Sequence, residues 1–533
     1  MKEDSFWSAL QGARLSRRRL IGSAALGGAG LAAAAVIGCG GDDNEEAKSS
    51  QGAAPQEVLK HGSFTMAANA SSFGQTLSPN STAGNFVDFY ALFDPLTRLN
   101  ENIEAVPALA SSWEVDKSNQ SRWIFHLRDA QWSDGKPFTA EDVKFTFDYI
   151  ANPDSKSALI SRVDTIASTE IIDSKTVAFN TKGPDPILPK RQFLVYIYPK
   201  HYFGDPAVGD TIFGTKPVGT GSYIVDEYSR GSRLKLKASP TSWHGTKGVD
   251  TVDLRVINDA QTVLAAYEAG DLDFAGVPSS DVERAKTFKN TLIRQGSPTG
   301  IRTLDIEYFD PPTKDPRVRL ALNQALDWDA IRKAVDFGLG EISQGQLLTT
   351  TTFGWNPNLK AYKFNPDEAR RLLKEAGYGT GFKTKLAFTT SVKTWVEACA
   401  DYFKEIGVQT ELITVDLNVW RDGLYGRRHR EALHYGPWSS FAIRDASIAM
   451  QWFLSDNPGK YYNRPEFDSA YKSAITEIDD EKRKRLWWKA TEVMNADPPS
   501  IWGGGGGGAS AIRSDRIKSM PITTTYFDEI LLA

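Results

Sequence analysis

Between Ser121 and Trp132 the chain reads SRWIFHLRDAQW, with Trp123, Phe125 and Leu127 alternating against Ile124, His126 and Arg128. Period-two patterning in residues of this type predicts a β-strand. The next residues, Ser133 to Lys136, contain an Asp-Gly pair, which tolerates the positive φ of a tight turn. TAEDVKF follows and predicts a helix start: Thr139 caps it, Asp142 sits three residues on, and Glu141 lies near the positive end of the helix dipole. Such a cap contributes about 1 kcal/mol. Asp134, Glu141 and Asp142 thus fall within nine residues, beside aromatics. They raise the question of a paired-carboxylate catalyst, but turn and cap chemistry gives each acid an ordinary role.

The same grammar continues downstream. A strand at Leu254–Ile257 meets a helix carrying Val263, Leu264 and Tyr267, then a Gly-Asp turn and another strand, which predicts a βαβ unit. Asp315 and Pro316 open a helix as cap and first helical residue. Asn365, Pro366 and Glu368 repeat the device, and Gly377 ends that helix. TKLAFTT, SVKTWVEACADYFKEIG and VQTELITV then read as strand, helix and strand, with Cys399 inside the helix as a small core residue rather than a reactive thiol. Nothing repeats at a fixed period of 20–50 residues, which excludes solenoids and propellers.

Composition narrows the class. The 533 residues carry 41% apolar and 11% aromatic side chains with a mean hydropathy of −0.37, as expected of a soluble body of about three domains. The formal charge is −4, and it becomes more negative once the basic first 38 residues are set aside, so no nucleic-acid partner is expected. Two cysteines exclude a disulfide framework, and the six histidines show no metal-ligand spacing. No G-x-S-x-G, Walker A or dinucleotide fingerprint occurs in a fitting context, so neither cofactor nor metal nor catalytic residue is expected.

The first 57 residues read as a leader. Arg17 and Arg18 open a basic segment, and Leu20 to Ile37 is a mildly apolar run rich in Ala and Gly. A membrane span is the competing reading, but four glycines and few large apolar side chains fit a cleaved export signal better. SRRRLI resembles a twin-arginine export motif and VIGC, ending at Cys39, a bacterial lipobox. The resemblance implies a signal peptide over 1–38, a diacylglycerol on Cys39, and a flexible acidic tether over 39–57. The body would start near Val58 on the outer face of the cytoplasmic membrane.

Five segments carry a wider resemblance: YALFDPLTRLN (Tyr90–Asn100), the run from Pro107 to Ile150, KPVGTGSYIVDEY (Lys216–Tyr228), AYEAGDLDFAGVP (Ala266–Pro278) and DPRVRLALNQALDWDAI (Asp315–Ile331). They are similar, in order, to family 5 extracellular solute-binding proteins, the oligopeptide, dipeptide and nickel receptors of ABC importers. The resemblance implies an α/β fold of the type II periplasmic-binding-protein class, with two lobes and an extra inserted domain. The first lobe would comprise 58–95, 215–310 and 501–533, the insertion 96–214 and the second lobe 311–500, with hinge crossings near 305–315 and 495–505. It also implies a monomer that hands its solute to a membrane permease after lobe closure.

Peptide-binding members carry W-x-x-D-Y in the second lobe, where the Asp pairs with the peptide amine. The matching stretch here, Tyr435 to Ser447, keeps Trp438 but places Phe441 at the acid position. Asp445 could replace the acid only by a shift, and Arg444 beside it would favour anions. A second ligand-facing acid would fall near Ala83, again uncharged. Tyr435, Trp438, Ser439, Ser440, Phe441, Arg444, Asp445, Ala83 and Trp502 are therefore the candidate ligand residues. An unpartnered buried ammonium is costly, so oligosaccharides and blocked or anionic peptides gain weight over free peptides. The run Gly503–Gly508 reads either as a surface loop or as a hinge crossing stripped of side chains. Two alternatives to a receptor are an exported carboxylate-dependent hydrolase, which needs two acids facing one cleft, and a lipoprotein sensor or chaperone that works without a transporter.

Overall fold

Strand Ser63–Ala68 runs parallel to Thr251–Val256 on one side and to Phe274–Val277 on the other. The expected βαβ unit is present, with helix Ala260–Ala269 capped by the Asp259 carboxylate and ended by Gly270 at φ +93°. Its two strands are nevertheless not neighbours, because a segment from the start of the body slots between them. Antiparallel partners complete a seven-stranded sheet in the order 291–295, 509–513, 274–277, 63–68, 251–256, 233–238 and 223–229. The computed structural model describes residues 61–533 apart from 69–75, 82–86, 206–207, 246–248, 297, 299, 418, 421–422, 424–431, 440–442, 460 and 522–525. The leader, with Cys39, lies outside the described residues.

A four-stranded antiparallel sheet is built from 110–116, 119–127, 176–181 and 166–173. The alternation read at Trp123, Phe125 and Leu127 buries all three on one face. This sheet and the seven-stranded one share a single apolar core, in which Phe64 and Leu234 join Phe125, Phe179, Tyr196 and Phe527.

The three acids of the corner have one common task. Asp142 accepts from the backbone of Thr139 (3.0 Å) and of Lys200 (2.9 Å), Glu141 pairs with Lys200 Nζ at 2.8 Å, and Asp134 meets His201 Nε2 at 2.8 Å. They pin the turn and helix Ala140–Ala151 to the helix beginning at Lys200.

A five-stranded sheet runs 408–414, 382–388, 433–439, 300–306 and 500–502. Two boundaries expected from sequence shift as a result. Gly300–Ile306 already belongs to this sheet, ahead of the expected start at 311, and Ser500–Trp502 carries it past 500. The reason lies in pairing: Gly300–Ile306 is held along its whole length by Leu433–Ser439, and Ser500–Trp502 pairs on its other side. The chain therefore crosses between sheets at 296–300, rather than at 305–315, and again at 503–508. Helix Lys393–Glu405 connects the parallel strands Phe382–Phe388 and Val408–Thr414, and Cys399 within it is fully buried, its thiol pushed up by desolvation.

Gly503, Gly504, Gly505 and Gly507 are packed against other backbones, while Gly506 and Gly508 are exposed. Gly504 and Gly505 pair with Ile342 and Glu341, Gly503 accepts from Ser343 N at 2.9 Å, and Gly508 accepts from Gly296 N at 2.9 Å. A Cβ on Gly503 would stand 2.5 Å from the Arg302 carbonyl, one on Gly504 2.6 Å from the Glu341 carbonyl, and one on Gly505 2.5 Å from Pro298 Cβ. No side chain fits between these backbones, so the crossing-strand reading replaces the surface loop. The two crossings are joined to each other through Gly296 and Gly508.

Candidate functional site

The register of the five-stranded sheet singles out one strand. Leu433–Ser439 pairs with Gly300–Ile306 over seven positions. On its other side Phe382–Phe388 runs beside it only at Leu433 and His434. No described strand pairs with residues 435–439 on that side, so this stretch of sheet edge lies at the carboxyl end of the strand, where open α/β sheets place their ligands. It ends at Ser439, opposite Gly300, whose missing Cβ allows the approach: an added one would lie 2.7 Å from Ser439 Cα.

The expected ligand residues on and after this strand are used very unequally. Tyr435 is buried, its carbonyl accepts from Trp420 Nε1 at 3.2 Å, and its ring lies against Trp420 and Trp395. Trp438 is 3% exposed and donates its indole N–H to Asp305 Oδ2 at 2.7 Å, leaving it no hydrogen bond to offer a solute. Its ring packs on Trp452, Phe453 and Tyr461. Trp502 is 1% exposed, with its backbone held by Asn323 Oδ1 at 3.0 Å. These aromatics are scaffold under the edge, where sequence reasoning had placed Trp438 and Trp502 against a solute. Ala83, Ser440 and Phe441 lie outside the described residues.

Asp445 requires a correction. Both of its oxygens are taken by Arg483, Nη1 to Oδ2 at 2.8 Å and Nη2 to Oδ1 at 2.7 Å, and Oδ1 also caps helix Ala446–Met450 through Ser447 N at 3.0 Å. The residue is fully buried. Burial alone would raise its carboxyl; the Arg483 charge overrides that and holds the group below the usual carboxylate range. Asp445 cannot stand in for the missing amine partner. Arg483, which makes the difference, sits in EKRKRLWW and reads in sequence as part of a solvated basic face.

Sequence reasoning also missed Asp305, the hub of the five-stranded sheet. It is fully enclosed and accepts from Thr303 Oγ1 (2.6 Å), Ser500 Oγ (2.7 Å) and Trp438, with a His434 ring nitrogen 3.7 Å away. Burial outweighs those donors and pushes its carboxyl up to about 6. The available signal was an acid in the middle of the apolar alternation TLDIEY.

Arg444 stands at φ +47°, and its carbonyl accepts from Phe353 N at 2.8 Å. Lys190, from helix Leu188–Gln192, lies 5.8 Å from the centroid of the Phe353 ring, and Arg483 stands 4.8 Å from the same ring. Desolvation lowers the Lys190 ammonium, with Asp445 opposing and Arg483 adding to the shift. Among the described residues no group of three or more His, Cys, Asp or Glu could hold a metal ion.

The family model for bacterial extracellular solute-binding proteins, family 5 Middle, matches residues 104–460. The chain is 26% identical over 443 residues to the dipeptide-binding protein of Escherichia coli K12, covering 75% of this chain and 80% of that one. It is 26% identical over 436 residues to heme-binding protein A of Haemophilus influenzae, covering 74% and 78%. Among solved structures, the ABC transporter substrate-binding protein CtaP of Listeria monocytogenes superposes with a TM-score of 0.79 at 21% identity, covering 89% of this chain and 99% of that one.

Proposed function

The chain belongs to family 5 of the bacterial extracellular solute-binding proteins, and on that premise we propose that it is the membrane-tethered receptor of an ABC importer for a solute without a free amine, such as an N-blocked peptide. Proteins of this family bind small solutes outside the cytoplasm and deliver them to ABC permeases. The observation that carries the narrower reading is the Asp445–Arg483 pair. It removes the one acid near the W-x-x-D-Y position that could have met an ammonium, where Phe441 already replaces the expected Asp.

Oligosaccharides lose support as well. A sugar's apolar face needs an open aromatic ring to stack on, and the Trp438 and Trp502 rings among the candidate ligand residues are both enclosed. The tether rests on the VIGC motif ending at Cys39 and on the small, acidic stretch after it. Closure would swing the second lobe about the paired crossings at 296–300 and 503–508, and the solute would lie along the 435–439 edge as an added strand.

A thermal-shift screen of the purified protein tests this reading with free and N-acetylated peptides, oligosaccharides, opines and nickel chelates. A ligand at a hundred times its Kd adds about 2.7 kcal/mol of stability. Stabilisation by N-acetylated peptides over their free-amine counterparts is the expected result. Preference for the free amine sinks it, and turnover of an added solute would move the chain to the hydrolase class. Replacing Cys39 by Ser should release the protein from membranes.

A further inference from the structure

The chain passes between its two large sheets at 296–300 and 503–508, and the second passage is a run of glycines, whose backbone resists bending little. A third link between the sheets is not covalent. Leu339 is 6% exposed and packs in an apolar cluster whose other buried members come from 264–288 and from Ala509 and Ala511. Those residues belong to the seven-stranded sheet and the segments packed on it. Leu339 does not. It follows helix Trp328–Val335, whose Trp328 stacks on Trp395 of helix Lys393–Glu405. Asp336 pairs with Arg302 of strand Gly300–Ile306, so the residues just before Leu339 are fastened to the five-stranded sheet.

The turn that carries Leu339 across is strained. Phe337 is held at φ +54°, rare for a bulky side chain, although its ring is 58% exposed and gains little from burial. Such a backbone persists only where its surroundings over-determine it. Here Gly338 donates to the Arg332 carbonyl at 3.1 Å and accepts from the Arg332 guanidinium, and Leu339 N donates to the Asp336 carbonyl at 2.9 Å. Gly340 follows at φ +75°, tight against the glycine run: a Cβ there would strike the Gly505 carbonyl and stand 2.7 Å from Gly507 N. A Cβ on Gly507 would strike Gly340 N in return. Glu341 and Ile342 then pair with Gly505 and Gly504. The glycines make room for a second backbone, and that backbone delivers Leu339 to the cluster on the other sheet.

Resting on the closure about these crossings proposed above, we propose that Leu339 is the positioning residue of the hinge, and that 336–342 is a strap fixing the axis about which the two sheets close. Two soft passages alone would let the sheets twist as well as close, whereas a third fixed point restricts them to rotation through it. An apolar contact suits that point because it is non-directional and survives rotation of its surroundings, where a hydrogen bond would be lost.

The test measures the distance between nitroxides at Asp129→Cys and Asp367→Cys, two exposed positions on either side, by pulsed electron spin resonance without solute. The full chain carries Cys39→Ser, and Cys399 is fully buried, so only the introduced thiols take the label. Leu339→Ala should widen the distance distribution at least about twofold over the parent. Leu234→Ala, which empties a fully buried site in the other core of the seven-stranded sheet, should lower the melting temperature but keep the parent width. Gly507→Ala, which pushes the strap away from the opposite side, should match Leu339→Ala and carries the test if that variant does not fold. Leu339→Met, which keeps the burial, should match the parent. An unchanged width in Leu339→Ala or Gly507→Ala, or equal broadening in Leu234→Ala, would overturn the proposal. No solute enters the comparison, so its failure is distinct from failure of the receptor reading, which would show as no solute in the thermal-shift screen binding the protein.

Discussion

Arg483 grips Asp445 with two parallel hydrogen bonds of 2.8 and 2.7 Å, and both side chains are almost wholly out of contact with water. A pair of this kind is costly to break from one side, because the remaining charge stays buried. Asp445→Asn should therefore lose about 3–5 kcal/mol of stability in urea unfolding. A solute-binding acid would behave in the opposite way, with affinity falling while stability held. The pH dependence has a definite sign. The folded carboxyl lies below its unfolded value, so its contribution is complete above about pH 4 and is lost only as the pH falls further.

Asp305 should show the reverse dependence. Its folded value, about 6, is above that of an unfolded Asp near 3.8, so the folded state holds a proton that the unfolded state releases. Its contribution is full below about pH 4 and is lost as the pH rises through 6, by roughly 3 kcal/mol at one unit of pKa per 1.36 kcal/mol. Asp305→Asn removes the titration. Unfolding at pH 5 and pH 8 should find the variant gaining on the wild type at the higher pH, and a constant difference between them would refute the assignment.

The glycine crossing permits a paired test. Alanine at Gly505 puts a Cβ 2.5 Å from Pro298 Cβ and 2.9 Å from the Gly300 carbonyl, whereas alanine at Gly508 meets nothing within 4 Å. Gly505→Ala should cost about 1–3 kcal/mol and impair ligand-driven compaction measured by small-angle scattering. Gly508→Ala should do neither. Equal behaviour of the two would mean that the crossing tolerates side chains.

The Lys190 ammonium stands 5.8 Å from the centroid of the Phe353 ring. Helix Leu188–Gln192 shares the core of the seven-stranded sheet through Leu188, whereas Phe353 is bonded to Arg444 and bridged to Asp445 after the 433–439 strand. The contact is therefore expected to form only when the two sheets are drawn together. Lys190→Ala should favour the open form and reduce affinity for any solute several-fold, through faster release. Phe353→Leu should match it, and an unchanged release rate in both variants would rule the contact out as a closure latch.

Much of this was legible in the residues themselves. Caps at Asp259, Asp315 and Asn365, the alternation at Trp123–Leu127 and the corner acids all act within a few positions of where they stand, so local sequence determined them. Two-lobe architecture was legible through family resemblance. Partners far apart in the chain were not. Asp445 reads as a spare acid until Arg483, 38 residues later, closes on it. Trp438 reads as a ligand residue until Asp305, 133 residues earlier, takes its N–H. The slot for Ser63–Ala68 between Thr251–Val256 and Phe274–Val277 and the tight passage of Gly503–Gly505 depend on which backbones lie alongside. Sequence spacing fixes hydrogen bonds across one turn or one strand; only the folded chain decides which buried charge meets its counter-charge, as Arg483 meets Asp445 and Arg319 meets Asp497.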